Sequence, residues 1–348
     1  MHMKKIVYLI GAGATQAEMA LKGIKSDITM KGISENVYEL SKNINGKYYE
    51  LMQDFGIQPK EQDIELIMSL FEGYADPEES DFNDVYKELR ALFRNYLVSQ
   101  ITDKKIVPIL LSSLLCIHKN YGKYMGKNGE KIKGILTINY DSLIEESFLD
   151  VYSGLNYWYK FKSNDYKRVH AIPPLLKLHG SFNWKIQNDK LEVSKKFESD
   201  ENSDDHSGWI PPSVYKKPSE NSILKDIWNK ASNLLIDCDI LRVVGSSLRN
   251  EDFALISLIF NSQIKSDPTF DIELIVPDRS ALGDSGFTGI MQRLSFLGNI
   301  KYLSSLPVFE RGEIITDNVF HLWLLKKIKE VEIKNDKISE DKFINKIF

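Results

Sequence analysis

The stretch Lys4-Lys-Ile-Val-Tyr-Leu-Ile-Gly-Ala-Gly-Ala-Thr15 joins a mostly apolar run to a glycine-rich turn. A continuous apolar run of this length is typical of a strand that is buried on both faces of a parallel sheet. The alanine, methionine and leucine residues that follow predict a helix over residues 15–22. A strand, a glycine turn and a helix in this order predict the first unit of an α/β fold.

Beyond this unit, the chain divides into a helical part and an alternating part. From about residue 34 to residue 118, apolar residues recur three and four positions apart, which predicts several helices. After residue 130, strand-like runs alternate with helical runs. Strands are predicted at 133–137, 175–178, 240–244, 272–276 and 300–303, and helices at 141–148, 223–236, 252–260 and 291–296. This alternation predicts a Rossmann-like, doubly wound and mostly parallel sheet.

Two shorter features complete the prediction. Asn188 and Asp189 separate two strand-like runs, which predicts a hairpin. Residues 198–206 are acidic and polar, which predicts a loop. We expect a single domain over residues 1–348. Its parts are a Rossmann-like core (about 1–30 and 130–305), an all-helical insertion (about 31–128) and a helical C-terminal tail (about 306–348).

The composition argues against several classes of function. The 348 residues are 43% hydrophobic and 27% charged, as in ordinary soluble domains, and the net charge is −4. This balance gives no electrostatic reason to expect direct binding of nucleic acid or of an anionic membrane. No apolar run reaches the roughly 18 residues that cross a bilayer, and the N-terminal run is too short for a signal peptide. We therefore expect a cytoplasmic protein.

The two cysteines, Cys116 and Cys238, lie far apart and among apolar neighbours. A zinc site with four thiolate ligands cannot be built from two cysteines of one chain. We expect both to be buried, unreactive thiols.

The glycine turn has the character of a phosphate-binding turn. Gly11 permits a sharp turn, Gly13 permits close approach of a pyrophosphate, and the N-terminus of the following helix favours an anion. The turn differs from that of a hydride-transferring dehydrogenase, because Gln16 stands where the third glycine belongs. Residues 26–34 are also too polar for a second strand ending in an acidic residue. A purely structural turn is the alternative.

Three further motifs follow predicted strands: Thr137-Ile-Asn-Tyr-Asp141, Lys177-Leu-His-Gly180 and Val244-Gly-Ser-Ser-Leu248. Ligands of open α/β sheets bind at the carboxyl ends of the strands, so all three motifs are candidates for one site. Asn139 and His179 are its candidate reactive groups.

Structural alternatives exist for each of these polar residues. Asn139 is equally suited to cap the next helix, with Asp141 in its first turn. His179 is also compatible with a hydrogen-bonded structural role. Asp252, near a later helix start, suits either capping or a contact to ribose.

The ordered set of motifs resembles the sirtuin (Sir2) superfamily over roughly residues 4–280. The likeness is closer to bacterial Sir2-like proteins of antiphage defence, on Leu176-Lys-Leu-His-Gly-Ser-Phe-Asn-Trp184, Ile210-Pro-Pro212 and Val243-Val-Gly-Ser-Ser-Leu-Arg-Asn-Glu-Asp252. The chain departs from protein-deacylating sirtuins in lacking their four-cysteine zinc module. Gln16-Ala-Glu-Met-Ala20 also replaces their Gly-Ile-Pro-Asp-Phe-Arg run, and the helical insertion occupies the place of their small domain.

The resemblance implies an NAD glycohydrolase that releases nicotinamide and ADP-ribose, or a cyclic form of it, with no zinc. In this interpretation, Asn139 orients water and the ribose hydroxyls, and His179 is a general base whose imidazole titrates near neutral pH. Asp141 holds the nicotinamide amide. The pyrophosphate is bound by Gly11, Ala12, Gly13 and Thr15, and the adenosine half by Gly245, Ser246 and Ser247.

The resemblance also implies a context for this activity. NAD depletion would serve antiviral defence, under the control of homo-oligomerisation or of a separate partner such as a ring-shaped ATPase, a short Argonaute or a nucleotide-sensing protein. Two alternatives stay open: an NAD-dependent protein deacylase or ADP-ribosyltransferase, and a non-catalytic sensor that binds NAD or a related nucleotide.

Overall fold

The computed structural model describes residues 3–25, 28, 30–57, 62–74, 80–121, 130–157, 161–162, 172–194, 208–213, 216, 218, 221–275 and 287–303. The predicted loop over 198–206 and the predicted tail over about 306–348 lie outside these residues. Within the described ranges, no helix is long and apolar enough to cross a membrane.

The described residues form nine strands in two sheets. They are β1 (Lys4–Ile10), β2 (Glu130–Thr137), β3 (Phe161–Lys162), β4 (Leu175–Lys177), β5 (Trp184–Gln187), β6 (Lys190–Val193), β7 (Ile240–Val244), β8 (Asp271–Ile275) and β9 (Ile300–Leu303). The larger sheet has the order β4-β2-β1-β7-β8-β9, and every adjacent pair in it is parallel. The predicted doubly wound parallel sheet is confirmed.

Helices connect these strands. They are α1 (Ala12–Leu21), α2 (Met30–Asn43), α3 (Lys47–Asp54), α4 (Ile64–Tyr74), α5 (Ser80–Val98), α6 (Ile109–Tyr121), α7 (Leu143–Tyr152), α8 (Ser222–Ile236), α9 (Phe253–Lys265) and α10 (Phe287–Arg293). The stretch α2 to α6 separates β1 and α1 from β2, where the helical insertion is predicted. A π-helical turn over Ser99–Asp103 follows α5, and a 3₁₀ turn over Asn250–Asp252 precedes α9.

Strand β1 lies at the centre of the core. Ile6, Val7, Tyr8 and Leu9 are each 0% exposed, as predicted for a strand covered on both faces. Both cysteines are buried too, and burial raises the pKa of the Cys238 thiol to about 12.

The smaller sheet carries the predicted hairpin. Strands β5 and β6 are antiparallel, and their connection runs through Asn188 and Asp189, with φ angles of 50° and 56°. Asn and Asp tolerate this left-handed conformation better than most residues, which suits them to a two-residue hairpin turn.

The direction in which successive strands are added to the larger sheet changes at one place. From β1, the chain adds β2 and β4 on one side and β7, β8 and β9 on the other. The carboxyl ends of β1 and β7 therefore flank a topological switch point, where α/β folds of this kind bind their ligands.

Candidate functional site

Two glycine turns meet at the switch point. The Gly11 N–H donates to the Val244 carbonyl at 2.9 Å, and the Gly13 N–H donates to the Gly245 carbonyl at 2.7 Å. A Cβ atom on Gly13 would lie 2.8 Å from the Gly245 oxygen, so the backbone that approaches Gly13 is the protein's own. The lack of a side chain at Gly13 therefore serves this backbone contact, and its approach to a pyrophosphate stays a prediction. These glycines pack the turn after β1 against the turn after β7.

Asn139, Thr15 and Asp141 form one hydrogen-bonded group at the ends of β1 and β2. Asn139 Nδ2 donates to Thr15 Oγ1 at 3.0 Å and to the Gly11 carbonyl at 3.1 Å, and Thr15 Oγ1 donates to Asp141 Oδ2 at 2.8 Å. Asn139 Oδ1 is buried and accepts no hydrogen bond from the described residues. The group thus holds Asn139 in a fixed orientation while leaving one acceptor free.

The alternative that Asn139 caps a helix is wrong. Helix α7 begins at Leu143 with Ser142 at its N-cap, and Asp141 Oδ1 accepts from the Leu143 N–H at 3.0 Å. Asp252 does occupy the N-cap position of α9, but its side chain makes no capping hydrogen bond there.

His179 follows β4 and is 4% exposed. Its ring donates a hydrogen bond to the backbone carbonyl of Ile138, while Nε2 is buried without a partner among the described residues. Burial, together with the nearby Lys216 ammonium, lowers the pKa of His179 to about 4. The expectation of an imidazole that titrates near neutral pH is therefore wrong: His179 is uncharged at neutral pH and presents Nε2 as an acceptor.

These groups surround one cleft with an empty volume of about 600 Å³, counting the part open to solvent. Of the residues predicted for the site, it is lined by Ala12, Thr15, Asn139, Asp141 and His179. Gly11, Gly13, Gly245 and Ser246 form the adjoining contact between the two turns, and the Ser247 carbonyl accepts from Arg293 at 2.7 Å. The helical insertion supplies part of the cleft wall, through Met30, Ile33, Glu65, Phe93, Leu97 and Ile101.

The sequence analysis did not predict a charged cluster in the cleft, which Glu65, Lys216 and Asp252 form. The Lys216 ammonium donates to Glu65 Oε1 and to Asp252 Oδ1, and all three side chains are largely buried. Burial raises the pKa of Glu65. Burial disfavours the charged forms of Lys216 and Asp252, but their ion pair favours the charged forms more strongly. The pKa of Lys216 is therefore raised and that of Asp252 is lowered. A sequence signal existed for Asp252, near a predicted helix start, and for Glu65, a charge within the apolar pattern of α4, but none for Lys216.

A buried lysine holds the Asn139–Asp141 loop against β4. Lys177 is 0% exposed, and its ammonium donates to the Asp141 carbonyl and, at 2.8 Å, to Glu145 Oε1. The Tyr157 hydroxyl donates to the same Glu145 oxygen at 2.8 Å. Lys177 thus links the strand that carries His179 to the loop that carries Asn139.

Glu18 explains one departure from the sirtuin pattern. It lies within Gln16–Ala20, and its side-chain oxygens accept from the N–H groups of Ile109 and Leu111 at 2.9 Å each, while burial raises its pKa to about 8. The N–H groups at the start of a helix have no partner within the helix, and these oxygens satisfy two of them. The unusual stretch therefore attaches the helical insertion, through the start of α6, to α1.

No family model and no curated protein matches this chain. Among solved structures, it is similar to a Sir2 homologue in complex with NAD, at 13% identity and a TM-score of 0.44 over 92% of this chain and 91% of that one. It is also similar to Sir2Tm bound to a propionylated peptide, at 16% identity and a TM-score of 0.39 over 89% and 93%. A third structure, solved for the mechanism and regulation of Sir2 enzymes, has 14% identity and a TM-score of 0.37 over 94% of each chain. The strand order by itself establishes the α/β fold.

In the part of the chain that the structure describes, no group of three His, Cys, Asp or Glu side chains could hold a metal ion.

Proposed function

We propose that the cleft binds NAD and that the protein hydrolyses its nicotinamide–ribose bond, giving nicotinamide and ADP-ribose or a cyclic form of it. The observation that carries this proposal is the meeting of Asn139 and His179 in one cleft at the switch point. Each presents a buried polar atom, Asn139 Oδ1 and His179 Nε2, with no partner among the described residues. Buried polar atoms are normally satisfied, so two such atoms in one cleft point to a polar ligand.

The chemistry needs few groups. The bond between ribose C1′ and the nicotinamide nitrogen breaks, and its electron pair leaves with nicotinamide, which becomes neutral. No general acid is required, unlike at an ordinary glycosidic oxygen. Water forms the new bond to C1′, and its proton passes to His179 Nε2, which is in the accepting form at neutral pH. Asn139 Oδ1 would orient that water or a ribose hydroxyl.

The remaining predicted residues would hold the rest of the dinucleotide. Asp141, fixed by Thr15 and the Leu143 N–H, would accept from the nicotinamide amide. The pyrophosphate would lie at the N-terminus of α1, by the turn of Gly11, Ala12 and Gly13 and near Thr15, where the helix dipole favours an anion. The adenosine half would cross the switch point towards Gly245, Ser246 and Ser247.

The resemblance to Sir2-like defence proteins supports a role for this reaction in cytoplasmic NAD depletion during antiviral defence. An enzyme that removes NAD must be restrained between infections. Control by homo-oligomerisation or by a separate regulatory protein is part of the proposal.

The test is NAD cleavage by the purified chain, with nicotinamide and ADP-ribose separated by chromatography. Removing a general base costs about 100-fold or more in kcat, so we expect His179→Ala to lose at least that much. Asn139→Ala should lose a comparable factor, because it removes the group that orients the water. Asn36→Ala is the matched control, because Asn36 lies on the exposed surface of α2 and, among the described residues, its side chain donates to the Gly32 carbonyl of the same helix.

Unchanged rates in both cleft variants would contradict the proposal. Tight NAD binding by the wild-type chain without turnover would replace hydrolysis by a sensor role. Removal of an acyl group from a lysine peptide would replace it by protein deacylation.

A further inference from the structure

Glu65, Lys216 and Asp252 line the cleft, and the proposed reaction has not used them. They come from three separate parts of the chain: the first turn of α4, the segment around residue 216 and the 3₁₀ turn after β7. One ammonium is shared between two carboxyl groups, with side-chain exposures of 3% for Glu65 and Lys216 and 13% for Asp252. We call these three residues the cleft triad.

Attachment of the helical insertion to the core does not require the cleft triad. Arg249 pairs with Asp63 between the same two regions, and neither of these residues lines the cleft. Phe93 of α5 also stacks on Trp209 with ring centroids 6.0 Å apart, and it contacts Tyr140 and Phe182 edge-on. Aromatic packing of this kind holds the insertion in place without burying any charge.

Burying three charged groups costs desolvation energy, which suggests that they have a role other than stability. Replacement of buried ion pairs by apolar side chains of similar volume is often neutral or stabilising. The carboxyl groups of the cleft triad outnumber its ammonium, and Asp141 adds a further carboxylate to the same cleft. The cleft therefore offers an excess of acceptors to ligand hydroxyl groups and to positive charge.

We propose that Asp252, held in place by Lys216 and Glu65, binds the hydroxyls of the ribose that carries nicotinamide and stabilises the positive charge that develops on it. This inference rests on the proposed function. Carboxylates are the usual partners of ribose hydroxyls in dinucleotide sites. The transition state of glycoside cleavage is a cationic, oxocarbenium-like sugar, which a fixed carboxylate stabilises without reorganising. Asp252 is then a catalytic residue, and Lys216 and Glu65 are positioning residues.

The location of the cleft triad favours this ribose over the adenosine ribose. Asp252 lines the same cleft as Asn139 and His179, whereas Gly245, Ser246 and Ser247 are not among the described residues that line it. Asp252 therefore lies on the side where the bond is cut.

The experiment compares the binding of ADP-ribose and ADP by calorimetry. ADP-ribose carries the second ribose and ADP lacks it. The wild-type chain should bind ADP-ribose at least about tenfold more tightly, as expected for hydrogen bonds to a charged group. Asp252→Asn should abolish that preference and leave the affinity for ADP unchanged. Lys216→Met should reduce the preference, and Lys216→Arg should restore part of it.

Lys47→Gln is the control, because it removes an ion pair of the helical insertion, to Asp84, and neither residue lines the cleft; it should keep the wild-type preference. A second measurement needs no variant: an ADP-ribose analogue without the 2′ and 3′ hydroxyls of its terminal ribose should bind the wild-type chain no better than ADP does. In NAD cleavage, Asp252→Asn should lower kcat by more than it raises KM.

The outcomes separate the two proposals. An undiminished preference for ADP-ribose in Asp252→Asn, or full affinity of the wild type for the dideoxy analogue, would overturn the role of Asp252 and leave the NAD site standing. Failure of the wild-type chain to bind either nucleotide would overturn the NAD site, and the role of Asp252 with it.

Discussion

Two buried charged clusters of similar composition lie near β7. In the first, which we call the sheet cluster, Arg242 of β7 lies between Glu130 and Glu273. In the second, the cleft triad beyond the end of the strand, Lys216 lies between Glu65 and Asp252. A buried imidazole with a pKa of about 4 is close to each, His118 in the first and His179 in the second. The clusters differ in access, because the cleft triad lines the cleft and none of the sheet-cluster residues does.

The difference extends to hydrogen bonding. Arg242 binds both oxygens of Glu130, at 3.0 and 3.1 Å, one oxygen of Glu273 at 2.7 Å and the Tyr8 hydroxyl at 2.8 Å. A guanidinium with its donors arranged around fixed partners has nothing left to offer a ligand. Lys216 makes one contact to each of two carboxyl groups at a wall of the cleft. We infer that the sheet cluster serves folding and the cleft triad serves binding.

The largest expected effect comes from breaking the sheet cluster. Arg242→Met leaves Glu130 and Glu273 buried without their cation, which should lower the free energy of unfolding by about 3 to 5 kcal/mol. Urea unfolding followed by tryptophan fluorescence measures this loss. Ligand preference in the protein that remains folded should be unchanged. A stable Arg242→Met protein with impaired binding would reverse the assignment of the two clusters.

The second effect is a loss of stability in acid, which both imidazoles share. Burial lowers the pKa of His118 and of His179 from 6.5 to about 4, so the unfolded chain binds more protons between these pH values. Stability is therefore complete above pH 6.5 and falls as the pH drops towards 4, by up to about 3 kcal/mol for each histidine. Unfolding midpoints at pH 7 and pH 5 measure it.

Single replacements divide this acid loss between the clusters. His118→Asn and His179→Asn should each remove part of the difference between pH 7 and pH 5, whereas only His179→Asn should affect NAD cleavage. An acid loss that persists in full in both variants would show that other groups cause it.

The sequence predicted local features well because each depends on neighbouring residues. An apolar run followed by a glycine turn was enough to place β1 and β7, and a strand end was enough to place Asn139 and His179. The switch point between β1 and β7 came from the strand order of the sheet. Ion pairs depend on distant residues: Arg242 meets Glu130 across 112 positions, and Lys216 meets Glu65 across 151. No local pattern specifies such partners, so the cleft triad as a unit emerged only from the fold. The same is true of the lowered pKa of His179, which depends on burial in three dimensions.

The smallest expected effect on stability comes from a substitution in the turn after β7, between the two clusters. Gly245 lies between Arg242 and Asp252, with φ at +65°, and a Cβ atom there would lie 2.2 Å from the Ala14 nitrogen. Gly245→Ala should cost about 2 kcal/mol or more, because a left-handed alanine costs about 1 to 2 kcal/mol before any clash is counted. Gly23→Ala is the matched control, with φ at +77° but nothing within 4 Å of the added atom. Beyond the stability that both lose, Gly245→Ala should also reduce the preference for ADP-ribose over ADP, because the turn that must shift to relieve the contact with Ala14 continues towards Asp252. Equal preference in the two variants would mean that the turn after β7 does not position the cleft triad.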